Sequence, residues 1–246
     1  MSEPVPLPLR APRKRAGSQL RYNECEVTAL EISWFGLGCI RITERGFPTI
    51  VIDPYDARAV GYAPLKLKAD IVITSQNTPD QGFVDAVRGD PFRIQGPGEY
   101  EIGHVFITGT QTSSELHKPD PQGRNTFYTI DIEGFHLLHA GCLDHVPSQS
   151  EIEGLGPVEL LMLPVGGGAT IGASKAAELA NTVEPNLVLP LRYKIPGGQI
   201  PLDDVQKFLK EMGISELKPQ PVLKLGRGEA LPEETKVVLL EPVGVA

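Results

Sequence analysis

A chain of 246 residues, 41% hydrophobic and 22% charged, has the composition of a globular protein and the length for a sizeable core, which excludes wholesale disorder. A net charge of −8 argues against a general nucleic-acid binder, and no run approaches the roughly 18 apolar residues of a membrane-spanning helix, so no membrane role is expected. Cys25, Cys39 and Cys142 form no CxxC pair, which excludes a zinc ribbon and a disulfide framework and suits a reducing, cytoplasmic setting.

In chain order, residues 1–22 come first and carry Arg10, Arg13, Lys14, Arg15 and Arg21 against Glu3, with prolines between them and no apolar stretch behind them. That pattern predicts a solvated, Pro-rich basic extension, not a secretory signal, and leaves 23–246 as a single domain. Residues 25–33, 39–43 and 48–53 are rich in β-branched and apolar side chains, with Gly36 and Gly46 at turns, and predict strands. Another strand is expected at 70–74. Over 79–88, Phe83, Ala86 and Val87 fall at i, i+3, i+4 and predict a helix. Strand-like runs follow at 92–95, 100–109, 126–132 and 135–139. The second half then alternates: strand 158–163, helix 172–182, strand 187–191, helix 202–212 closed by Gly213 as a C-terminal cap, and a last strand at 236–240. Strands first and β-α-β-α afterwards predict an α/β fold of four layers, an αββα sandwich with two mixed sheets face to face and helices outside.

The turn after the 70–74 strand reads TSQNTPDQG (74–82). It lies where α/β enzymes usually keep their chemistry, yet it holds no histidine, cysteine or lysine and a single carboxylate, Asp80. With it, in order, stand ISWFGLGCIRI…PTIVIDPY (32–55), ADIVITSQNTPDQG (69–82), GPGEYEI (96–102), HAGCLDH (139–145), LLMLPVGGGATIGASKAAEL (160–179) and LVLPLRYK (187–194). Together these resemble the metallo-β-lactamase superfamily, most nearly the branch similar to L-ascorbate-6-phosphate lactonase, over everything after the extension. The resemblance implies a hydrolase fold whose members bind two zinc ions.

The family's metal loop, His-x-His-x-Asp-His, falls here on Gln76, Thr78, Asp80 and Gln81, and its early Gly-His on Gly36-Leu37. Its His-x-Gly-Asp falls on His139 to Cys142, its final His on Arg192, and its Thr-x-Asp-Ala on Thr170-Ile171-Gly172-Ala173. Of seven ligand positions only Asp80 and His139 keep the family residue. Gln and Thr are poor zinc ligands, and an arginine has no lone pair to give. The degenerate positions Leu37, Gln76, Thr78, Asp80, Gln81, His139, Cys142 and Arg192 therefore predict a non-catalytic binding or assembly module without zinc. The alternative is a hydrolase acting on an anionic or phosphorylated small molecule through Asp80, His139 and Cys142, which are also the residual metal candidates. Asp53 is expected beside Asp80, and Arg192 is expected to enter the vacated region and pair with one or both. Arg192 is also the natural clamp for a small anionic ligand. Self-association into a homo-oligomer is left open.

Other histidines carry blander readings. His104, His117 and His136 have no ligand-like spacing, and Asp144–His145 is only a neighbouring pair. Gly166–Gly168 lacks a following Lys-Ser/Thr and reads as a tight turn, and the Glu99–Tyr100 pair belongs to a backbone-shaping GPGEY turn.

Overall fold

The computed structural model describes residues 29–112 and 124–245. The basic extension, Cys25 and His117 lie outside the described residues.

Ala29–Trp34 (β1) and Ile40–Thr43 (β2) form an antiparallel pair, and Ile50–Ile52 (β3) joins β2. A short helix, Ala57–Val60 (α1), is capped by the Asp56 carboxylate at the Arg58 N–H and ends on Gly61 in the left-handed region. Leu67–Lys68 (β4) precedes Ile71–Thr74 (β5); a 3-10 turn at Val84–Ala86, Val87–Arg88 (β6) and Phe92–Gln95 (β7) follow. Gly98–Ile102 (β8), Val105–Gln111 (β9), Thr126–Ile132 (β10) and Phe135–His139 (β11) form an antiparallel meander. Gln149–Glu153 (α2), Leu160–Pro164 (β12), Ala173–Val183 (α3), Leu187–Leu191 (β13), Val205–Glu211 (α4), Leu223–Gly226 (β14) and Lys236–Val237 (β15) complete the chain.

Among the described residues these strands make two mixed sheets, ordered β14-β1-β2-β3-β5-β7 and β15-β13-β12-β11-β10-β9-β8, with β4-β6 as a small extra pair. The all-apolar runs at β3, β12 and β13 are buried along their whole length, as strands covered on both faces must be. In β9 burial alternates residue by residue, so one face meets solvent. This is the expected pair of mixed sheets in an α/β fold.

Three expectations are corrected. Residues 79–88 form no α-helix: Phe83 is 39% exposed while Val84 and Val87 are buried, so the apolar spacing does not mark one buried face. Val87 instead pairs with Leu67 as a strand residue. Residues 100–109 are not one strand but parts of two, because Gly103 (φ 57°) and His104 (φ 65°) turn the chain between β8 and β9. β14 was not anticipated; it closes the first sheet by pairing with β1 from the far end of the sequence. At the end of α4, Gly213 has φ 73°, as expected of a terminating glycine.

Candidate functional site

Parallel strands point their carboxyl ends at one region, the usual place for a ligand in an α/β sheet. Asp53 follows β3, Ser75 follows β5, His139 ends β11 and Arg192 follows β13. Leu37, from the turn between β1 and β2, is fully buried, and its carbonyl accepts hydrogen bonds from Trp34 Nε1 (2.9 Å) and the Arg192 N–H (3.1 Å). Leu37 (φ 49°), Asp53 (φ 48°) and Arg192 (φ 51°) all adopt left-handed backbone, which non-glycine residues rarely do and which costs of order 1–3 kcal/mol each.

The Arg192 guanidinium is buried and donates from Nη1 to Asp80 Oδ2 at 2.9 Å; the Asp80 side chain is a quarter exposed. Burial alone would lower the Arg192 pKa, but the net shift is upward because Cys142, Asp80 and Asp53 face it. Burial also pushes the Cys142 thiol up to about 12, with Asp80 and Asp53 adding to the rise. Cys142 therefore keeps its proton at neutral pH, and the carboxylates supply the attraction on Arg192.

Asp53 has no exposure and accepts from Ser75 N–H (2.6 Å) at one oxygen and touches Ser75 Oγ (2.7 Å) with the other. Burial pushes its carboxyl up to about 7, against the lowering by the Ser75 hydrogen bonds and Arg192. Ser75 Oγ also lies 2.9 Å from Gln81 Oε1, while Gln81 Nε2 faces Cys142 Sγ. A hydroxyl has one hydrogen, so with the amide placed this way a proton on Asp53 lets every contact in the chain Asp53–Ser75–Gln81–Cys142 be made.

His139 donates from Nε2 to the Gly38 carbonyl (3.1 Å) and accepts at Nδ1 from the Gly141 N–H (3.2 Å). Burial holds it down to about 4, so it stays neutral, with both ring nitrogens used by the backbone. Asn125, which sequence reasoning missed, accepts from the Cys142 N–H at 2.7 Å and donates to the Ala140 carbonyl at 3.0 Å. Ser75 was also missed, although its place immediately after a buried strand was a usable signal. Gly141 (φ 62°) is confined by both: a Cβ there would lie 2.4 Å from Asn125 Oδ1 and 2.5 Å from Ser75 Cβ. Gly141→Ala should cost about 1–3 kcal/mol in urea unfolding, and an unchanged midpoint would show that this packing is not tight.

Gln76 and Gln81 are buried, and Gln76 and Ser75 help line a polar cavity of about 130 Å³ together with Asn77, Gln111 and Arg124. Two polar atoms at the site are buried without a partner, Thr78 Oγ1 and Arg192 Nε. The remaining sequence candidates stay outside it. His136 Nδ1 meets Glu159 at 3.0 Å, His145 Nδ1 meets Asp144 at 2.7 Å, and Gly167 and Gly168 (both φ 70°) form a turn in which Thr170 Oγ1 donates to the Gly167 carbonyl. Glu99 and Tyr100 lie within β8, not in a turn.

A family model described as a beta-lactamase superfamily domain matches residues 31–192. A crystal structure from Thermotoga maritima, provisionally assigned as a Zn-dependent hydrolase of the metallo-beta-lactamase superfamily, matches with a TM-score of 0.70 at 30% identity, covering 86% of this chain and 98% of that one. The chain belongs to the metallo-β-lactamase superfamily. A relative in Natranaerobius thermophilus called a metal-dependent hydrolase is 22% identical over 209 residues, 74% of this chain and 91% of its own. Another so called, in Listeria innocua, is 26% identical over 238 residues, 81% of this chain and 99% of its own.

These superfamily relatives correct two expectations. The reading of a non-catalytic module is overturned by relatives called hydrolases, and the reading of no cofactor by relatives called metal- or Zn-dependent. The physical reason is that loss of metal ligands at single positions tells which groups remain, not whether a site has ceased to hydrolyse a bond. The donor set in this chain nevertheless does not fit a zinc as it stands. Among the described residues no three His, Cys, Asp or Glu side chains gather as ligands. Asp80 is paired, His139 has no free lone pair, Cys142 keeps its proton, and of the orphaned atoms the Arg192 Nε can only donate while the Thr78 hydroxyl can donate or accept. No helix among the described residues is long and apolar enough to cross a membrane.

Proposed function

We propose that this superfamily member is a hydrolase acting on an anionic or phosphorylated small molecule at Asp80 and Arg192, with His139 and Cys142 as positioning residues. One observation carries the substrate class: the unfilled hydrogen-bonding capacity at the site belongs to a buried guanidinium Nε, which can only donate, and a hydroxyl that can donate as well. A phosphate or carboxylate offers the acceptor oxygens that such donors lack, and a guanidinium holds such groups through its fixed fork. The strained backbone at Leu37, Asp53 and Arg192 supports the same reading, since left-handed non-glycine residues persist where surrounding structure holds a site in shape.

The roles follow from exposure. Arg192 and Thr78 hold the anionic group. Asp80, the carboxylate of the site with access to solvent, accepts the proton of the attacking water as its oxygen bonds to the substrate; the bond to the leaving group breaks, and the proton passes from Asp80 to that group. His139 fixes the Gly38 turn against β11, and Cys142 with Gln81 and Ser75 fixes Asp53.

The test is steady-state turnover of p-nitrophenyl phosphate, bis-p-nitrophenyl phosphate and an anionic lactone by the purified chain, with chelator present and with Zn²⁺ or Mn²⁺ added. Turnover of at least one substrate in at least one arm is expected, reduced about 100-fold or more in Asp80→Asn, in the range for removing a general base. No turnover in any arm, or turnover that Asp80→Asn leaves intact, would overturn the reading.

A further inference from the structure

We infer that the chain has a second small-molecule site, on the outer side of the first sheet, that takes a ligand with an apolar or aromatic body and one anionic head. A cavity of about 450 Å³ is lined there by Phe35, Arg41, Pro64, Leu65, Lys66 and Val243. Its volume lies within the roughly 300–1,000 Å³ of small-ligand pockets. None of the residues around Arg192 and Asp80 lines it.

Its polar groups are two cations. Arg41 sits on β2 opposite Ser33 and Val51, and its guanidinium carbon lies 5.4 Å from the centre of the Phe35 ring. Arg41 Nε is buried with no hydrogen-bond partner, a state that native structures rarely leave unfilled. Among the described residues neither Arg41 nor Lys66 has an ion pair, although the chain as a whole carries a net charge of −8. What sets this place apart is that both cations line one cavity and that the buried Arg41 Nε there has no acceptor. The apolar side is supplied by Phe35, Leu65 and Val243, the last 43% exposed. An aromatic face with a cation above it and an apolar floor recognises a flat or chain-like body bearing a single carboxylate or phosphate. The chain's own first 22 residues make a poor occupant, because their five Lys/Arg against one acid add like charge.

Isothermal titration calorimetry on the full chain tests this with benzoate, phenyl phosphate, benzyl alcohol and inorganic phosphate. Benzoate or phenyl phosphate should bind one per chain, and whichever binds tighter identifies the head group. Benzyl alcohol and inorganic phosphate, each lacking half of the ligand, should bind about 10-fold more weakly or not at all. Arg41→Met should weaken the tighter probe about 10-fold. Lys66→Met, at an exposed position that folding tolerates, should weaken it in the same direction. Equal binding of benzyl alcohol, no binding of any probe, or affinity unchanged in both variants would overturn the inference. So would affinity lost in Arg192→Gln but kept in Arg41→Met, since the anion would then sit beside Asp80.

Discussion

Replacing Arg192 by alanine should lower the unfolding free energy by about 3–5 kcal/mol, the range for removing one partner of a buried ion pair. The guanidinium is 3% exposed and its partner Asp80 25%, so little solvent is at hand to screen what is left behind. Loss of the cation leaves Asp80 without its counter-charge beside Asp53, whose charging Asp80 already disfavours. Alanine keeps the Cβ that strains the left-handed backbone at 192, so no relief of strain offsets the loss. Urea unfolding at pH 7 measures it. The double variant Arg192→Ala/Asp80→Ala should recover part of the loss, since the stranded carboxylate goes with its partner. A loss below about 1 kcal/mol, as for an exposed pair, would show that the pair contributes no more than a surface contact.

The second large effect concerns pH. The Asp53 carboxyl rises from 3.8 to about 7 on folding, chiefly by burial. A raised folded value means that its contribution is fully present below pH 3.8 and is lost as pH rises through about 7. His139 falls from 6.5 to about 4, again by burial, so its contribution is present above pH 6.5 and is lost as pH falls through about 4. Between those limits the two slopes oppose each other, and wild-type stability should change little on their account. Asp53→Asn keeps the shape and tolerates the left-handed backbone, but does not titrate. Its stability relative to wild type should therefore improve by about 3 kcal/mol between pH 4 and 7, at 1.36 kcal/mol per pKa unit, since the folded carboxyl is only half ionised at pH 7. Urea unfolding of both proteins at matched pH values gives that difference. A difference that stays flat across the range would mean that Asp53 is ionised throughout and that its proton plays no part in the Ser75–Gln81 chain.

The sequence made the central strands legible because β3, β5, β12 and β13 are short apolar runs with clear turn residues, and both long helices lie within a residue or three of their expected ends. It misled over 79–88, where Phe83, Ala86 and Val87 repeat at helical spacing although Phe83 faces solvent and Val87 belongs to a strand. β14 was hidden for a different reason: four residues carry little local signal, and its partner β1 lies nearly the whole chain away. At the site, the meeting of Arg192 and Asp80 was legible only through the family resemblance, since 112 residues separate them. His139 was legible as a site residue but not in its state, because its ring nitrogens are taken by the backbone groups of Gly38 and Gly141, which any sequence provides. Thr78 and Arg192 stood among the degenerate positions, yet only the fold shows that each keeps a buried donor unfilled. Counting lost ligands pointed away from catalysis; the match of the whole chain to relatives called hydrolases points back to it.

The account turns on Arg192 as the group that holds an anionic substrate. The direct measurement is the ratio of kcat/KM for an anionic ester to that for its neutral isostere, in the wild-type chain and in Arg192→Gln, at a temperature where both are folded. The wild type should favour the anionic ester, and the variant should lose that preference by about 10-fold or more, the worth of a charge-assisted hydrogen bond, mainly through KM. Equal ratios in the two proteins would contradict the account.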